Sequence, residues 1–415
     1  MIRYRKILPF IFILIVSATN LQADAQGIEF VHNLDSALIL AKAQNKPIFI
    51  DFYTSWCAPC KVMTAEVFPQ AKVGAYFNSQ FINCKVQCDD KGIGVKMGEK
   101  YQVNAYPTLM FLNAQGELIH SMAGGISAEE LIDLGNIARD PERNLLSLLT
   151  QWKNGRRDTA FVNLYFGKLK SAYRSELAKS QFEEYFKSLS QKEKTSSNSF
   201  ELIKLLGYAP SSPIFNFVED NLAPFNRSVG EASVGDFIKK TYSGNLRAMV
   251  LEKGGAARNQ YLAAKARLKT RNYSCYDEIA MYLSVFETFD TTGKVDLKEY
   301  QTRGTAFLDK YGKDNDYYTL GLTSLLGNCT GRENEGAAGI QWMENLLARK
   351  REPRYLPIYF YILWRNYQFD KALAVGEEMK ANAIREGRTT KDIEAQMKMI
   401  SDYKEKRAKQ KLAGS

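Results

Sequence analysis

An α/β domain with a central sheet, followed by an all-α region of helical hairpins or a bundle, accounts for three features of this 415-residue chain. Short apolar or alternating runs separate helical segments only as far as residue 140. From Glu142 onward strand patterning disappears, while Leu145, Leu146, Leu149, Trp152 and later Phe182, Tyr185, Phe186, Leu189 keep helical spacing. The length also exceeds a single unit of about a hundred residues, so two or more domains are expected. An apolar content of 45% with 12% aromatics supplies packed cores and excludes a disordered chain.

Residues 1–25 read as a cleavable secretory signal peptide. Arg3, Arg5 and Lys6 form a basic region, Ile7 to Val16 an apolar one, and Ala23-Asp24-Ala25 fits the small-x-small cleavage rule. An uncleaved anchor is the alternative, but about ten apolar residues are too few to span a bilayer. Export to the periplasm places the protein in an oxidising compartment, where a dithiol acts as an oxidant or is kept reduced by a dedicated electron supply.

Charge is distributed unevenly. The chain carries +10, which becomes +8 without residues 1–25; residues 26–140 hold nine Lys/Arg against twelve Asp/Glu, or −3, leaving +11 for 141–415. In an exported protein that excess points to an acidic partner or peripheral contact with an anionic membrane rather than to nucleic acid, with an inert solvated surface as the alternative.

The α/β domain is expected over 26–140. Ile28 to Val31 predicts a short first strand, and Leu34, Ala37, Leu38 and Ala41 trace a helix ending near Asn45. Ile48, Phe49 and Ile50 form a buried strand that breaks at Thr54-Ser55 into Trp56-Cys57-Ala58-Pro59-Cys60, where a helix begins and runs to Phe68-Pro69. A helix carrying Val73, Tyr76 and Phe77 follows. Phe81 to Asp89 alternates as a strand with Ile82, Cys84, Val86 and Cys88 on one face. The loop 89–94 leads to a helix ending at Tyr101; 109–113 and 118–122 form a hairpin; Ser127-x-x-Glu130 caps a closing helix with Leu131, Leu134 and Ile137.

The chemistry lies in Cys57 and Cys60. A thiol at the first position of a helix meets unpaired N–H groups and the positive dipole end, which lower its pKa from about 8.5 toward or below neutral. Cys57 is therefore the nucleophile. Cys60, three residues on and one turn deeper, is the resolving thiol, and Pro59 stiffens the first turn without losing a needed N–H. Two histidines and no second Cys-x-x-Cys at zinc-ribbon spacing favour a redox pair over a metal site, so no metal and no cofactor is expected.

Asp51-Phe52-Tyr53-Thr54-Ser55-Trp56-Cys57-Ala58-Pro59-Cys60-Lys61 resembles the active-site segment of the thioredoxin superfamily, and Tyr106-Pro107-Thr108 resembles its cis-proline loop. The likeness covers residues 28–139 and implies a mixed sheet flanked by helices. It also implies a buried Asp51 as proton acceptor for the resolving thiol, Lys85 as its partner, and Trp56, Pro59, Tyr106 and Pro107 as substrate contacts. A carboxylate in an apolar strand has a raised pKa suited to that role; a surface aspartate at a strand end is the alternative. Cys84 and Cys88 depart from the family's pattern. Four residues apart on one strand face, they are separated by about 13 Å and cannot pair across the roughly 7 Å limit. They read as small hydrophobes, or as an auxiliary thiol for the pair.

Beyond 141, about a dozen helices are implied. Trp152 to Ala160 and Trp364 to Leu373 resemble the inter-helix turn of tetratricopeptide repeats, with Gly331 to Ala338 a poorer instance; irregular spacing makes this a degenerate array, with a plain bundle as the alternative. Cys275 and Cys329 are candidates for a structural disulfide worth about 4 kcal/mol. The basic tail Lys404–Lys411 reads as a frayed helix end.

The expected function is exported thiol–disulfide oxidoreduction, with a helical domain recruiting protein thiols or disulfides. Ala58-Pro59 resembles the reducing branch of the superfamily, and Pro47 to Lys61 with the preceding helix resembles the C-terminal domain of membrane thiol–disulfide interchange proteins. An external electron donor, such as a membrane thiol–disulfide relay, is then required. The competing reading is a helical-repeat scaffold or adaptor whose Cys57–Cys60 pair senses or tethers. A peroxidase fits less well, because the Pro-x-x-x-Thr/Ser-x-x-Cys surround is absent at Cys57.

Overall fold

A computed structural model of the protein describes residues 27–413, apart from 91 and 314, and only the backbone of 411–413. The signal peptide assigned to 1–25 lies outside these residues. The chain forms two compact units, one ending at Ser190 and one beginning at Gln191.

The first unit is built in the order α1 (Leu34–Gln44), β1 (Ile48–Tyr53), α2 (Ala58–Val62), α3 (Ala71–Gln80), β2 (Ile82–Gln87), α4 (Ile93–Lys100), β3 (Thr108–Leu112), β4 (Leu118–Ala123) and α5 (Ala128–Arg139). The sheet order is β2-β1-β3-β4, with β1 and β2 parallel and the other pairs antiparallel. Both faces are covered, which is why β1 reads as an unbroken apolar run rather than an alternating one. Ile48, Ile50 and Phe52 pack with α1, Val86 and Met110 on one side. Phe49 packs with Met63, Val67, Phe77, Phe111 and Leu131 on the other. Asn33 caps α1, and Ser127 with Glu130 closes the expected capping box on α5. The helix after Cys57 opens into one π turn over Met63–Val67, with Phe68 N–H donating to Met63 O at 2.9 Å, and stops before Pro69 as expected.

Two expectations need correction. Ile28 to Val31 is not a strand. Ile28 N–H is taken by Phe68 O at 2.9 Å, so only Val31 reaches the outer edge of β2, as an isolated bridge to Cys84. The helical region over 141–415 is also not one body. α6 (Leu145–Lys153), α7 (Thr159–Ser171) and α8 (Ser175–Ser188) belong to the first unit. Buried His120 of β4 accepts the Leu145 N–H at 3.1 Å through Nδ1 and so caps α6 on the sheet edge. The Arg157 guanidinium lies 3.5 Å from the Trp152 ring centre at the α6–α7 turn.

The second unit is helical: α9 (Gln191–Lys194), α10 (Ser197–Leu206), α11 (Pro213–Asp220), α12 (Leu222–Val229), α13 (Glu231–Leu251), α14 (Gly255–Thr270), α15 (Tyr276–Phe286), α16 (Leu297–Tyr311), α17 (Asp316–Cys329), α18 (Ala337–Arg349), α19 (Leu356–Arg365), α20 (Phe369–Arg385) and α21 (Lys391–Ala413). Neighbours in sequence pack together, among them α13 with α14, α15 with α16, α17 with α18, and α19 with α20. With α6 to α8, sixteen helices follow residue 140 among the described residues, more than the dozen expected. Fully buried Glu219 ties α11 to α13 and α14 by accepting from Tyr242 at 2.5 Å and Tyr273 at 2.9 Å and pairing with Arg267 and Arg271. The basic tail continues α21 to Ala413.

Candidate active site

Cys57 is the N-cap of α2, with extended backbone, and its Sγ accepts the Cys60 N–H at 3.1 Å. The dipole argument therefore applies to the thiol for which it was made. Cys57 and Cys60 form a disulfide and are 3% and 2% exposed. The turn before them is held from the end of β2. Asp89 Oδ2 accepts Ser55 N–H at 2.9 Å and Ser55 Oγ–H at 2.6 Å, which holds the Asp89 carboxyl below its usual range. Sequence reasoning missed this residue, because Asp89-Asp90 reads as an ordinary loop start.

The expected substrate contacts meet at the same place. Trp56 is 69% exposed, and its ring stands edge-on to that of Tyr106 at 6.1 Å. The Tyr106–Pro107 peptide is cis, and Pro107 O accepts the Gly124 N–H at 2.8 Å. A Cβ on Gly125 would sit 3.3 Å from Pro59 Cβ, so glycine lets the loop after β4 close on α2. Cys57, Cys60, Trp56 and Pro59 thus lie on one turn, with Tyr106 beside Trp56.

Asp51 is fully buried, although flanking Ile50 and Phe52 point to the opposite face. It shares the Phe49 face of β1, the face packed by Met63 and Val67 of the Cys57 helix. Lys85 is its register partner on β2, with Nζ 3.6 Å from Asp51 Oδ2. That separation makes an ion pair and not a hydrogen bond, and neither carboxylate oxygen has a hydrogen-bonding protein partner among the described residues. Burial dominates, and the carboxyl is pushed up to about 6 against the lowering effect of Lys85. The ammonium donates instead to Thr64 Oγ1 at 2.7 Å and lies 4.9 Å from the Tyr53 ring centre, two contacts that sequence patterning does not reveal.

The remaining cysteines are unpaired. Cys84 and Cys88 are buried on one face, as the alternation predicts, and burial pushes their thiols up to about 12 and about 11. Cys88 lies near Tyr106: a methyl on Gly98 would be 3.4 Å from Cys88 Sγ and 4.0 Å from the Tyr106 hydroxyl. The disulfide expected between Cys275 and Cys329 is not formed. Cys275 caps the start of α15 and Cys329 ends α17, each a free, half-buried thiol. No cluster of three or more His, Cys, Asp or Glu suited to a metal occurs among the described residues.

A buried, helix-capping Cys-x-x-Cys beside a cis-proline defines a thiol–disulfide oxidoreductase domain. The thioredoxin-like domain family matches residues 34–138. A thioredoxin-like protein of Synechocystis is 34% identical over 87 residues, 21% of this chain and 76% of that protein. The chain therefore belongs to the thioredoxin-like family. The thiol:disulfide interchange protein DsbD of Pseudoalteromonas atlantica is 30% identical over 95 residues, 22% of this chain but only 16% of DsbD. The solution structure of a Bacteroides thetaiotaomicron protein is 39% identical, covering 28% of this chain and 98% of that one, with a TM-score of 0.26.

Proposed function

We propose that the protein is an exported reductase or isomerase of disulfides in envelope proteins, with the helices beyond the α/β elements positioning the protein substrate. The observation that carries the reading is a helix-capping Cys57 that follows closely on β1, the strand that buries a protonatable Asp51. The Cys57 thiolate attacks a substrate disulfide, forming a mixed disulfide and releasing one substrate thiolate. Asp51 takes the proton of Cys60, and the resulting thiolate attacks Cys57 Sγ, expelling the second substrate sulfur as a thiolate that is then protonated as Asp51 gives up its proton, and leaving Cys57–Cys60 oxidised. Two electrons from an external dithiol restore the pair. Trp56, Pro59, Tyr106 and Pro107 hold the substrate backbone beside Cys57, and Lys85 tunes Asp51.

Export is supported by the leader-like residues 1–25 and by the likeness to DsbD. No helix among the described residues is long and apolar enough to cross a membrane. The likeness to DsbD supports a membrane thiol–disulfide relay as the electron donor. The large basic helical part favours one competing reading, a scaffold or adaptor with a redox sensor. Cys57→Ser separates the two: an enzyme loses turnover and an adaptor keeps its partners.

The deciding measurement is the reduction potential of Cys57–Cys60 by alkylation gel shift, with a Cys84→Ala/Cys88→Ala sample in parallel. A value of about −270 to −220 mV supports the reductase; one near about −120 mV makes the protein an oxidant. Failure to titrate as a two-electron couple leaves the scaffold.

A further inference from the structure

The segment Tyr101–Pro107 runs from the C-cap of α4 to the cis peptide beside the thiols. Its downstream end is fixed within the α/β elements: Thr108 Oγ–H donates to Ala105 O at 2.7 Å, and Val103 and Tyr106 pack against the core that holds Phe52 and Cys88. Its upstream end is held by α4, where Glu99 O and Gly98 O accept the Gln102 and Val103 N–H groups at 3.0 and 2.8 Å, and also from elsewhere. Arg174, immediately before α8, donates Nη2–H to Tyr101 O at 3.0 Å and Nη1–H to Gln102 Oε1. Gln102 and Tyr173, the residues at the two sides of this contact, both adopt left-handed backbone at φ +55°, so the clamp joins two tight turns. A cation at the carboxyl end of α4 also complements its dipole. The matched family domain ends at residue 138, so Arg174 is supplied by helices this chain adds beyond it.

We infer that Arg174 is a positioning residue for disulfide exchange: its guanidinium fixes the start of Tyr101–Pro107 and through it the Tyr106–Pro107 surface that receives the substrate. The inference rests on Tyr106 and Pro107 being the substrate contacts of the proposed function. Two donors of one planar fork reach acceptors on consecutive residues, which a lysine, as a single point charge, does not reproduce. A released loop must be reordered by each incoming substrate. That penalty falls on binding, and the sulfur chemistry at Cys57 and Cys60 is untouched.

The test uses the full chain as wild type, Arg174→Ala, Arg174→Lys and Gln102→Ala. Three quantities are read: KM and kcat for reduction of insulin disulfides with dithiothreitol, the Cys57–Cys60 potential, and amide hydrogen exchange over 102–106. Arg174→Ala is expected to raise KM about tenfold with kcat and potential unchanged, and to speed exchange at Val103–Ala105 by a similar factor. Arg174→Lys falls between, and Gln102→Ala, which keeps the Tyr101 bond, gives a smaller rise. Unchanged exchange over 102–106, or kcat falling as KM stays constant, overturns the inference. If Arg174→Ala does not fold, Gln102→Ala decides, because wild-type exchange in that variant is equally fatal. An inactive wild type sinks the proposed function, while exchange still tells a clamped loop from a free one.

Discussion

Lys85 Nζ stands 3.6 Å from Asp51 Oδ2 yet gives its short hydrogen bond, 2.7 Å, to Thr64 Oγ1. The buried carboxyl is thus compensated by charge at a distance and by no donor in contact, and it stays near pKa 6. Because the folded value lies above the unfolded one, the folded state binds this proton more tightly. Asp51 then favours folding below about pH 4, and its contribution is lost as pH rises through 6. At pH 7 the oxidised protein carries a penalty on the order of 3 kcal/mol from this group. Asp51→Asn is expected to raise stability in urea melts by an amount of that order and to slow resolution of the mixed disulfide. Equal stability of the two proteins at pH 7 would show that Asp51 is solvated.

The shared ammonium makes two further substitutions move in opposite directions. Thr64→Val removes the competing acceptor and lets Lys85 close on Asp51, which lowers the Asp51 pKa. Lys85→Met removes the opposing charge and raises it. Each shift is expected to be about one unit, followed by the carboxyl 13C resonance of Asp51 across pH. Shifts of the same sign in both variants would mean that Thr64 does not hold the lysine away.

Burial and nearby Lys168 push the His120 imidazole down to about 3, and its Nδ1 must stay unprotonated to accept the Leu145 N–H. Its folded pKa lies below the unfolded 6.5, so stability is fully present above 6.5 and declines by about 1.4 kcal/mol per unit as pH falls toward 3. Asp51 contributes the opposite slope over part of this window. The difference between wild type and His120→Asn isolates the histidine, since Asn Oδ1 can still accept from Leu145. Parallel stability curves for the two proteins from pH 7 to pH 4 would contradict the assignment.

The parts legible in the sequence are those with local chemistry. Cys57 as a helix cap, the Ser127–Glu130 box and the Cys84/Cys88 face each depend on neighbours a few residues away. Burial of Asp51 was not legible by alternation, because a sheet covered on both faces hides residues of both parities; only the resemblance pointed inward. Asp89 on Ser55, Thr64 on Lys85 and Arg174 on Tyr101 join residues 21 to 73 positions apart. No periodicity encodes such contacts. The end of the first unit at Ser190 was equally hidden, since α6 to α8 have the same helical spacing whichever body they pack on.

Thiol reactivity should divide the six cysteines by thiolate content. After reduction, Cys57 at the start of α2 is expected to take iodoacetamide first at pH 7.5. Cys84, held near 12, carries a thiolate fraction of about one in thirty thousand at that pH, and Cys88, near 11, about one in three thousand. At those thiolate fractions peptide mass spectrometry should find both unlabelled until the chain is unfolded. Half-buried Cys275 and Cys329 should react at intermediate rates, because they are less enclosed than the strand cysteines while burial still raises their thiols. Native-state labelling of Cys88 as fast as that of Cys57 would remove it from the core and restore it as an auxiliary thiol beside Tyr106, whereas protection of Cys88 together with fast labelling of Cys57 leaves the exchange chemistry to the Cys57–Cys60 pair.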